Sequence, residues 1–197
     1  MIVVASGNAH KIQEIKEILS DWQVISYKEA HPDHESPVED GDTLEANAFI
    51  KANDIKALYD CMVIADDSGL FCQALNGDPG VHSARYAGEP CNDKNNNDLL
   101  IKNLQGKDRT AEFRSTICLI EENGKASYFT GICKGQIIDE ARGDGGFGYD
   151  PYFLPDGETK TFAQMSAEEK NKIQPRRPMK RQPWFLIAMK IYKANIN

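Results

Sequence analysis

Two adjacent carboxylates, Asp66 and Asp67, end the short apolar run Met62-Val63-Ile64-Ala65 and are followed by Ser68-Gly69. In extended backbone, successive side chains point to opposite faces, so one carboxylate can face a cleft while its neighbour is held by structure. Together with Glu39, from an acidic stretch upstream, such a pair supplies the hard oxygens that Mg²⁺ takes. A solvated turn in which Asp66 acts as a cap is the competing reading. A second candidate is Ser6-Gly7-Asn8-Ala9-His10-Lys11, which joins an apolar run to an amphipathic segment. Amides at a helix N-terminus carry partial positive charge and suit a phosphate, with Ser6 and Asn8 adding side-chain donors and Lys11 one turn further in. The spacing is not that of a P-loop, and a capped helix with a surface lysine would look the same.

The third candidate is Gly145-Gly146-Phe147-Gly148-Tyr149-Asp150-Pro151. Glycines let backbone approach a ligand closely, Phe147 or Tyr149 offers a ring on which a base can stack, and Asp150 can accept from a sugar or base. A β-bulge with both aromatics in the core is the alternative. Lys51 lies on an apolar-striped helix, where a lysine usually faces solvent. Lys170 and Arg176 lead a basic C-terminal segment, and arginine's planar fork suits a phosphate or a purine edge.

The elements that must position these groups follow from periodicity. Residues 2–5 read as a strand, and Ile12, Ile15, Ile18 and Leu19 then fall at helical spacing. Residues 30–42 read as an acidic loop. A second helix starts after it with Asp42 as N-cap and Glu45 three residues on, its stripe running Leu44, Ala48, Ala52, Ile55, Tyr59. Residues 62–65 form a buried strand ending on Asp66, residues 76–90 a loop, and residues 93–104 a polar helix pinned by Leu99, Leu100 and Leu104. Residues 111–120 alternate, with Ala111, Phe113, Ser115, Ile117 and Leu119 on one face. Asn123-Gly124 then signals a hairpin to a strand over 126–133, and a last helix covers about 164–172. A hairpin joined to βα units implies an α/β fold with a mixed sheet.

Composition excludes several classes. The chain has 197 residues, 41% hydrophobic and 27% charged, ordinary for a globular protein able to bury a core. The longest apolar segment, Trp184–Met189, is far short of the ~20 residues a membrane helix needs, and no signal peptide is visible. Five cysteines at irregular spacings, with no C-x-x-C, read as reduced thiols of a cytoplasmic protein. The net charge of −7 argues against nucleic-acid polymers as partners, and no membrane partner is expected. Residues 170–197 hold eight Lys/Arg and no Asp/Glu, leaving residues 1–169 at −15. That segment is either a solvated tail or a basic wall against an anionic ligand.

Taken together and in order, four segments resemble the inosine/xanthosine triphosphate pyrophosphatase family. They are Ser6-Gly7-Asn8-x-x-Lys11, Asp66-Asp67-Ser68-Gly69-Leu70, Gly77-Asp78-Pro79-Gly80-Val81-His82-Ser83-Ala84-Arg85-Tyr86 and Gly145-Gly146-Phe147-Gly148-Tyr149-Asp150-Pro151. The resemblance spans about residues 2 to 173 and implies a single nucleoside triphosphate pyrophosphatase domain over 1–197. It implies an elongated mixed sheet with flanking helices, two lobes around a nucleotide cleft, and a homodimer. It also implies Mg²⁺-dependent hydrolysis of ITP, dITP and XTP to the monophosphate and pyrophosphate. On that resemblance Ser6, Gly7, Asn8, Ala9, His10 and Lys11 bind the triphosphate with help from Lys51, and Glu39 and Asp67 hold the metal. Asp67 is the base, and Ser68 contacts substrate. Phe147, Gly148, Tyr149 and Asp150 hold base and sugar, and Lys170 and Arg176 close the pocket.

One departure stands out. The family's usual Ser-His-Arg is here Gln174-Pro175-Arg176, and Pro175, Pro178 and Pro183 interrupt the helix that normally follows. It fits a variant with altered base preference, including one for modified pyrimidines, a nucleotide-binding protein with weakened catalysis, or a local sequence error.

Overall fold

Strand alternation decides the fold. Residues Ile2, Val4, Met62, Ile64, Ile117 and Leu119 form one buried cluster, and their neighbours Val3, Ala5, Val63, Ala65, Cys118 and Ile120 form another. Strands buried on both faces are nearly continuous hydrophobic runs, which a parallel sheet covered on each side requires. A computed structural model of the protein, describing residues 1–173 and Pro175, shows this arrangement.

The strands are β1 (Ile2–Val4), β2 (Val24–Ser26), β3 (Met62–Cys72), β4 (Thr110–Ile120), β5 (Ala126–Ile137) and β6 (Phe153–Pro155), in the spatial order β2-β1-β3-β4-β5-β6. The sheet is mixed: β1 pairs parallel with β2 and β3, whereas β5 and β6 are antiparallel. The helices are α1 (Ala9–Ile18), α2 (Tyr27–Ala30), α3 (Leu44–Lys56), α4 (Asp93–Asn103) and α5 (Ala167–Ile173). Among the described residues, no helix is long and apolar enough to cross a membrane.

The described chain groups into two compact units. The first comprises residues 1–67 and 116–131. There α1 places Ile15 and Ile18 in one cluster, and α3 places Ala48, Ala52 and Ile55 in the other. The second comprises residues 68–115 and 132–173. Its core gathers Leu70, Leu100, Leu104, Ile137, Tyr149, Phe153 and Phe162, with Phe113 edge-on to Phe153 at 4.7 Å between ring centroids.

Several expectations are corrected. The cap of α3 is Thr43, whose hydroxyl accepts from the Ala46 amide at 3.1 Å, and Asp42 lies one residue outside it. Strand β2 and helix α2 fall in a stretch where the sequence showed no periodic segment. They are held by parallel pairing with β1 and by a capping box between Ser26 and Glu29. The stretch 76–90 is not all loop, because Gly80–Arg85 winds as a 3₁₀ turn. The last helix begins at Ala167, three residues beyond the expected start, after a separate 3₁₀ turn at Phe162–Gln164. The hairpin at Asn123-Gly124 forms as expected, with Gly124 at φ +84° and its amide donating to the Glu121 carbonyl at 3.0 Å.

Candidate functional site

In the first unit, the turn after β1 is built by its own side chains. Asn8 caps α1: its Oδ1 accepts from the His10 and Lys11 amides at 3.0 and 3.1 Å, and the Ser6 hydroxyl accepts from the Asn8 amide at 3.1 Å. Two of the helix's leading amides are therefore already satisfied by the cap. Lys11 projects from the first turn to an ion pair, its Nζ 2.8 Å from Oδ2 of Asp66.

Strand β3 does not end at the acidic pair; it runs on to Cys72, so Asp66 and Asp67 sit inside a strand. A buried strand tolerates two carboxylates only if each is paired. The alternation of the strand sends them to different lysines: Asp66 to Lys11 of α1, Asp67 to Lys51 of α3. Lys51 is not on a solvated face. Its Nζ lies 2.7 Å from Oδ1 of Asp67 and 2.7 Å from Oε2 of Glu39, so one ammonium ties together both carboxylates singled out as metal ligands. The acidic loop that brings Glu39 there is fixed by Asn47, a buried residue of α3 whose Oδ1 accepts from the Gly41 amide at 2.8 Å. A Cβ at Gly41 would stand 2.6 Å from that of Ala46, so the loop can approach α3 this closely only at a glycine.

The electrostatics of this triad are set by burial and pairing. Burial works to lower the Lys51 pKa, but Asp67 and Glu39 together more than offset it and hold the ammonium above its ordinary range. Burial pushes the Asp67 carboxyl up, against the pull of Lys51 and Lys11. Its second oxygen, Oδ2, is buried with no hydrogen-bond partner among the described residues. A carboxylate with one oxygen held by a lysine and the other unsatisfied is equipped to take a cation. Among the described residues, no group of three or more His, Cys, Asp or Glu is arranged to hold a metal. A cation on Glu39 and Asp67 would therefore complete its shell with oxygens from a bound phosphate or water, as Mg²⁺ commonly does.

In the second unit, the glycine loop is folded around Asp150. Its Oδ2 accepts from the Phe147 amide at 3.0 Å and pairs with Lys170 Nζ at 2.7 Å. The same ammonium lies 4.9 Å from the centre of the Phe147 ring and 5.5 Å from that of Phe162. Gly146, at φ +73°, leaves room for the carboxylate; a Cβ there would run into Asp150. Tyr149 does not offer a ring to a ligand: it is 5% exposed within the unit's core, and its hydroxyl donates to the Ser83 carbonyl at 2.8 Å. Phe147, by contrast, is half-buried. Ser83, in the Gly80–Arg85 turn, accepts from the Leu70 amide at 2.8 Å and donates to the Gly80 carbonyl at 2.6 Å, so that part of the motif is scaffold.

Thus Lys11, Glu39, Lys51, Asp66 and Asp67 meet in the first unit, beside Ser6, Gly7 and Asn8 in sequence. Phe147, Asp150 and Lys170 meet in the second. Ser68 continues β3 directly after Asp67, and Arg176 lies outside the described residues. Sequence reasoning missed Asn47 and two residues of α4, Asp93 and Asn97, which bond Gly148, and it named Ser83 only within a motif, without a role. Their partners are brought by the fold, and only the run of Asn and Asp residues opening α4 gave any sign.

A mixed α/β sheet that carries lysine-paired carboxylates beside a capped turn defines the class: an α/β protein with a charged candidate site on its sheet. Comparison with known proteins sharpens that class. The Ham1 family profile matches residues 2–180. The dITP/XTP pyrophosphatase of Lactobacillus acidophilus is 46% identical over 182 residues, covering 87% of this chain and 89% of its own. That of Thermoanaerobacter sp. strain X514 is 44% identical over 176 residues, covering 87% and 88%. Among solved structures, the Staphylococcus aureus Ham1 protein superposes with a TM-score of 0.82 at 38% identity, covering 100% of this chain and 99% of its own. A HAM1 protein from Coxiella burnetii gives 0.83 at 34% identity, covering 96% and 98%. The chain belongs to the Ham1 family.

Proposed function

We propose that this protein hydrolyses the non-canonical purine triphosphates ITP, dITP and XTP to the monophosphate and pyrophosphate, with Mg²⁺ and as a homodimer. The dITP/XTP pyrophosphatases of similar sequence support the substrate class. The observation that carries the chemistry is the Glu39–Lys51–Asp67 triad, with Oδ2 of Asp67 buried and unpartnered among the described residues.

In this reading Glu39 and Asp67 hold Mg²⁺, which when bound supplies charge neutralisation at the phosphates and acidifies a coordinated water. Asp67 orients the attacking water and accepts its proton. Ser6, Gly7, Asn8, Ala9, His10 and Lys11 form the turn that receives the triphosphate. Lys11 and Lys51 neutralise the charge that grows on the leaving pyrophosphate. Both lysines are held by carboxylates, so they are pre-placed and a phosphate need only compete for them. Ser68 contacts substrate beside Asp67. The Phe147 ring receives the base, while Gly148, Tyr149, Asp150 and Lys170 shape and close its surroundings.

Base choice turns on the purine 6-position. Inosine and xanthine carry a carbonyl acceptor there and adenine an amino donor. A site offering a donor, from Arg176 or a backbone N–H, leaves adenine unpaired at a cost of about 1–3 kcal/mol.

Pyrophosphate release from ITP, dITP, XTP, GTP, ATP, dTTP and UTP, with and without Mg²⁺, tests the proposal. ITP, dITP and XTP are expected to lead. A preference for a pyrimidine, or turnover unchanged by chelation, would refute it.

A further inference from the structure

Helix α4 bonds the glycine loop at a single residue from both ends. Asp93 and Asn97 are one turn apart and so share a face of the helix. The Gly148 amide donates to Asp93 Oδ2 at 2.8 Å, and Asn97 Nδ2 donates to the Gly148 carbonyl at 2.9 Å. The first bond fixes the Phe147–Gly148 peptide plane and the second the Gly148–Tyr149 plane. Gly148 stands at φ +59°, a conformation that glycine reaches without strain and leaves as easily, so the two bonds hold what the backbone itself does not.

The orientation of Asn97 is informative. The residue is 7% exposed, and its Oδ1 has no hydrogen-bond partner among the described residues. Turning the amide over would set Oδ1 against the Gly148 carbonyl, two acceptors face to face, so the one bond to Gly148 dictates how Asn97 sits. Asp93 is the first residue of α4, whose cap is Asn92, and the positive end of the helix favours a carboxylate there. The other loop residues are anchored elsewhere: Phe147 to Asp150, which also pairs with Lys170 of α5, and Tyr149 to Ser83.

We propose that Asp93 and Asn97 are positioning residues for base recognition, holding the Phe147–Gly148–Tyr149 backbone so that the Phe147 ring is presented in one orientation. This rests on the reading of the loop as the receiver of the base. Both main-chain groups of Gly148 are engaged by α4, so the main chain of Gly148 is not the donor that meets the purine 6-position.

The test uses Asp93→Ala, Asp93→Asn, Asn97→Ala and the nearly isosteric Asn97→Asp, which sets a carboxylate against the Gly148 carbonyl. Loss of one such hydrogen bond is expected to raise KM for ITP about three- to tenfold. The kcat is expected to stay within about twofold, the signature of lost binding rather than lost chemistry. The ratio of kcat/KM for ITP over ATP should fall with it, and Asp93→Asn, whose amide oxygen still accepts from Gly148, should restore both. In nucleotide-free protein, exchange of the Gly148 amide measured by NMR should be faster in Asp93→Ala. An unchanged KM, ratio and amide exchange would overturn the proposal, as would a fall in kcat with KM untouched. A wild-type protein that releases no pyrophosphate from ITP would refute the functional reading instead, and the Gly148 exchange rate would still decide whether Asp93 holds the loop.

Discussion

The two groups of candidate side chains are built differently. In the first unit the chemistry stands on regular elements: Lys11 on α1, Lys51 on α3, Asp66 and Asp67 inside β3. What orders it is charge pairing, each buried carboxylate meeting a lysine within 2.8 Å. In the second unit the candidate residues lie on an irregular loop and on α5: one charge pair, Asp150–Lys170, is joined there by single side-chain bonds to backbone from Asp93, Asn97 and Asp150 and from the Tyr149 hydroxyl to Ser83. Paired charges in a strand give a stiff, strongly polarised site, suited to phosphate and a cation. A loop pinned at several points gives a surface whose shape can be adjusted one hydrogen bond at a time, suited to telling one base from another.

The largest effect is expected at Asp67. Asp67→Asn keeps the shape but removes the negative charge and the proton acceptor, and should lower pyrophosphate release from ITP by about 10²–10⁴-fold. Circular dichroism should stay unchanged. Turnover within a few-fold of wild type would place the chemistry outside the paired-charge group.

Next comes Lys51→Met, which leaves Glu39 and Asp67 together without their shared counter-ion. Removing one partner of a buried pair should cost up to about 3 kcal/mol. The resulting drop in melting temperature should be partly reversed by millimolar Mg²⁺, since a cation that binds only the folded state stabilises it. A melting temperature insensitive both to the substitution and to the metal would show that charge pairing does not order this group.

Smaller still is the contrast within the loop. Tyr149→Phe strands the buried Ser83 carbonyl and should cost about 1–2 kcal/mol by thermal denaturation while KM for ITP stays near wild type. Phe147→Ala should do the reverse, raising KM with little loss of stability. Equal effects on both properties would erase the distinction between a core aromatic and a presented one.

The smallest effect is a pH dependence at α5, which carries Lys170. The Ser166 amide and Lys160 hold the Glu169 carboxyl down at about 2, against an ordinary 4.5. A depressed carboxyl stabilises fully above its ordinary value, and the contribution fades as pH falls towards 2. The Ser166 amide shift in NMR should therefore titrate with a midpoint near 2; a midpoint near 4.5 would show that the capping interaction does not form.

Legibility in the sequence follows the same division. The turn at Ser6 to Lys11, the helix of α4 and the hairpin at Asn123-Gly124 could be read because each is decided by neighbours within a few residues. The α3 cap was misplaced by one position because Asp42 and Thr43 are both good capping residues and only the local geometry chooses. Strand β3 looked shorter than it is because its carboxylates are tolerated only through lysines 16 and 55 residues away, at Lys51 and Lys11. Strand β2 and α2 are three and four residues long, too short to show a period, and depend on pairing with β1. Tyr149 reads like a stacking ring because aromatic type alone does not say which side of a loop faces the core. Asp93 and Asn97 read as polar surface of a helix because their partner lies more than 50 residues further along the chain.

The central claim is that carboxylates paired to lysines on α1 and α3 direct water to the bond between the α and β phosphates. Following ITP with Mg²⁺ by ³¹P NMR tests it most directly. Pyrophosphate and IMP are expected to appear in equal amounts from the first turnover. Orthophosphate with IDP, or an ITP spectrum that does not change, would contradict it.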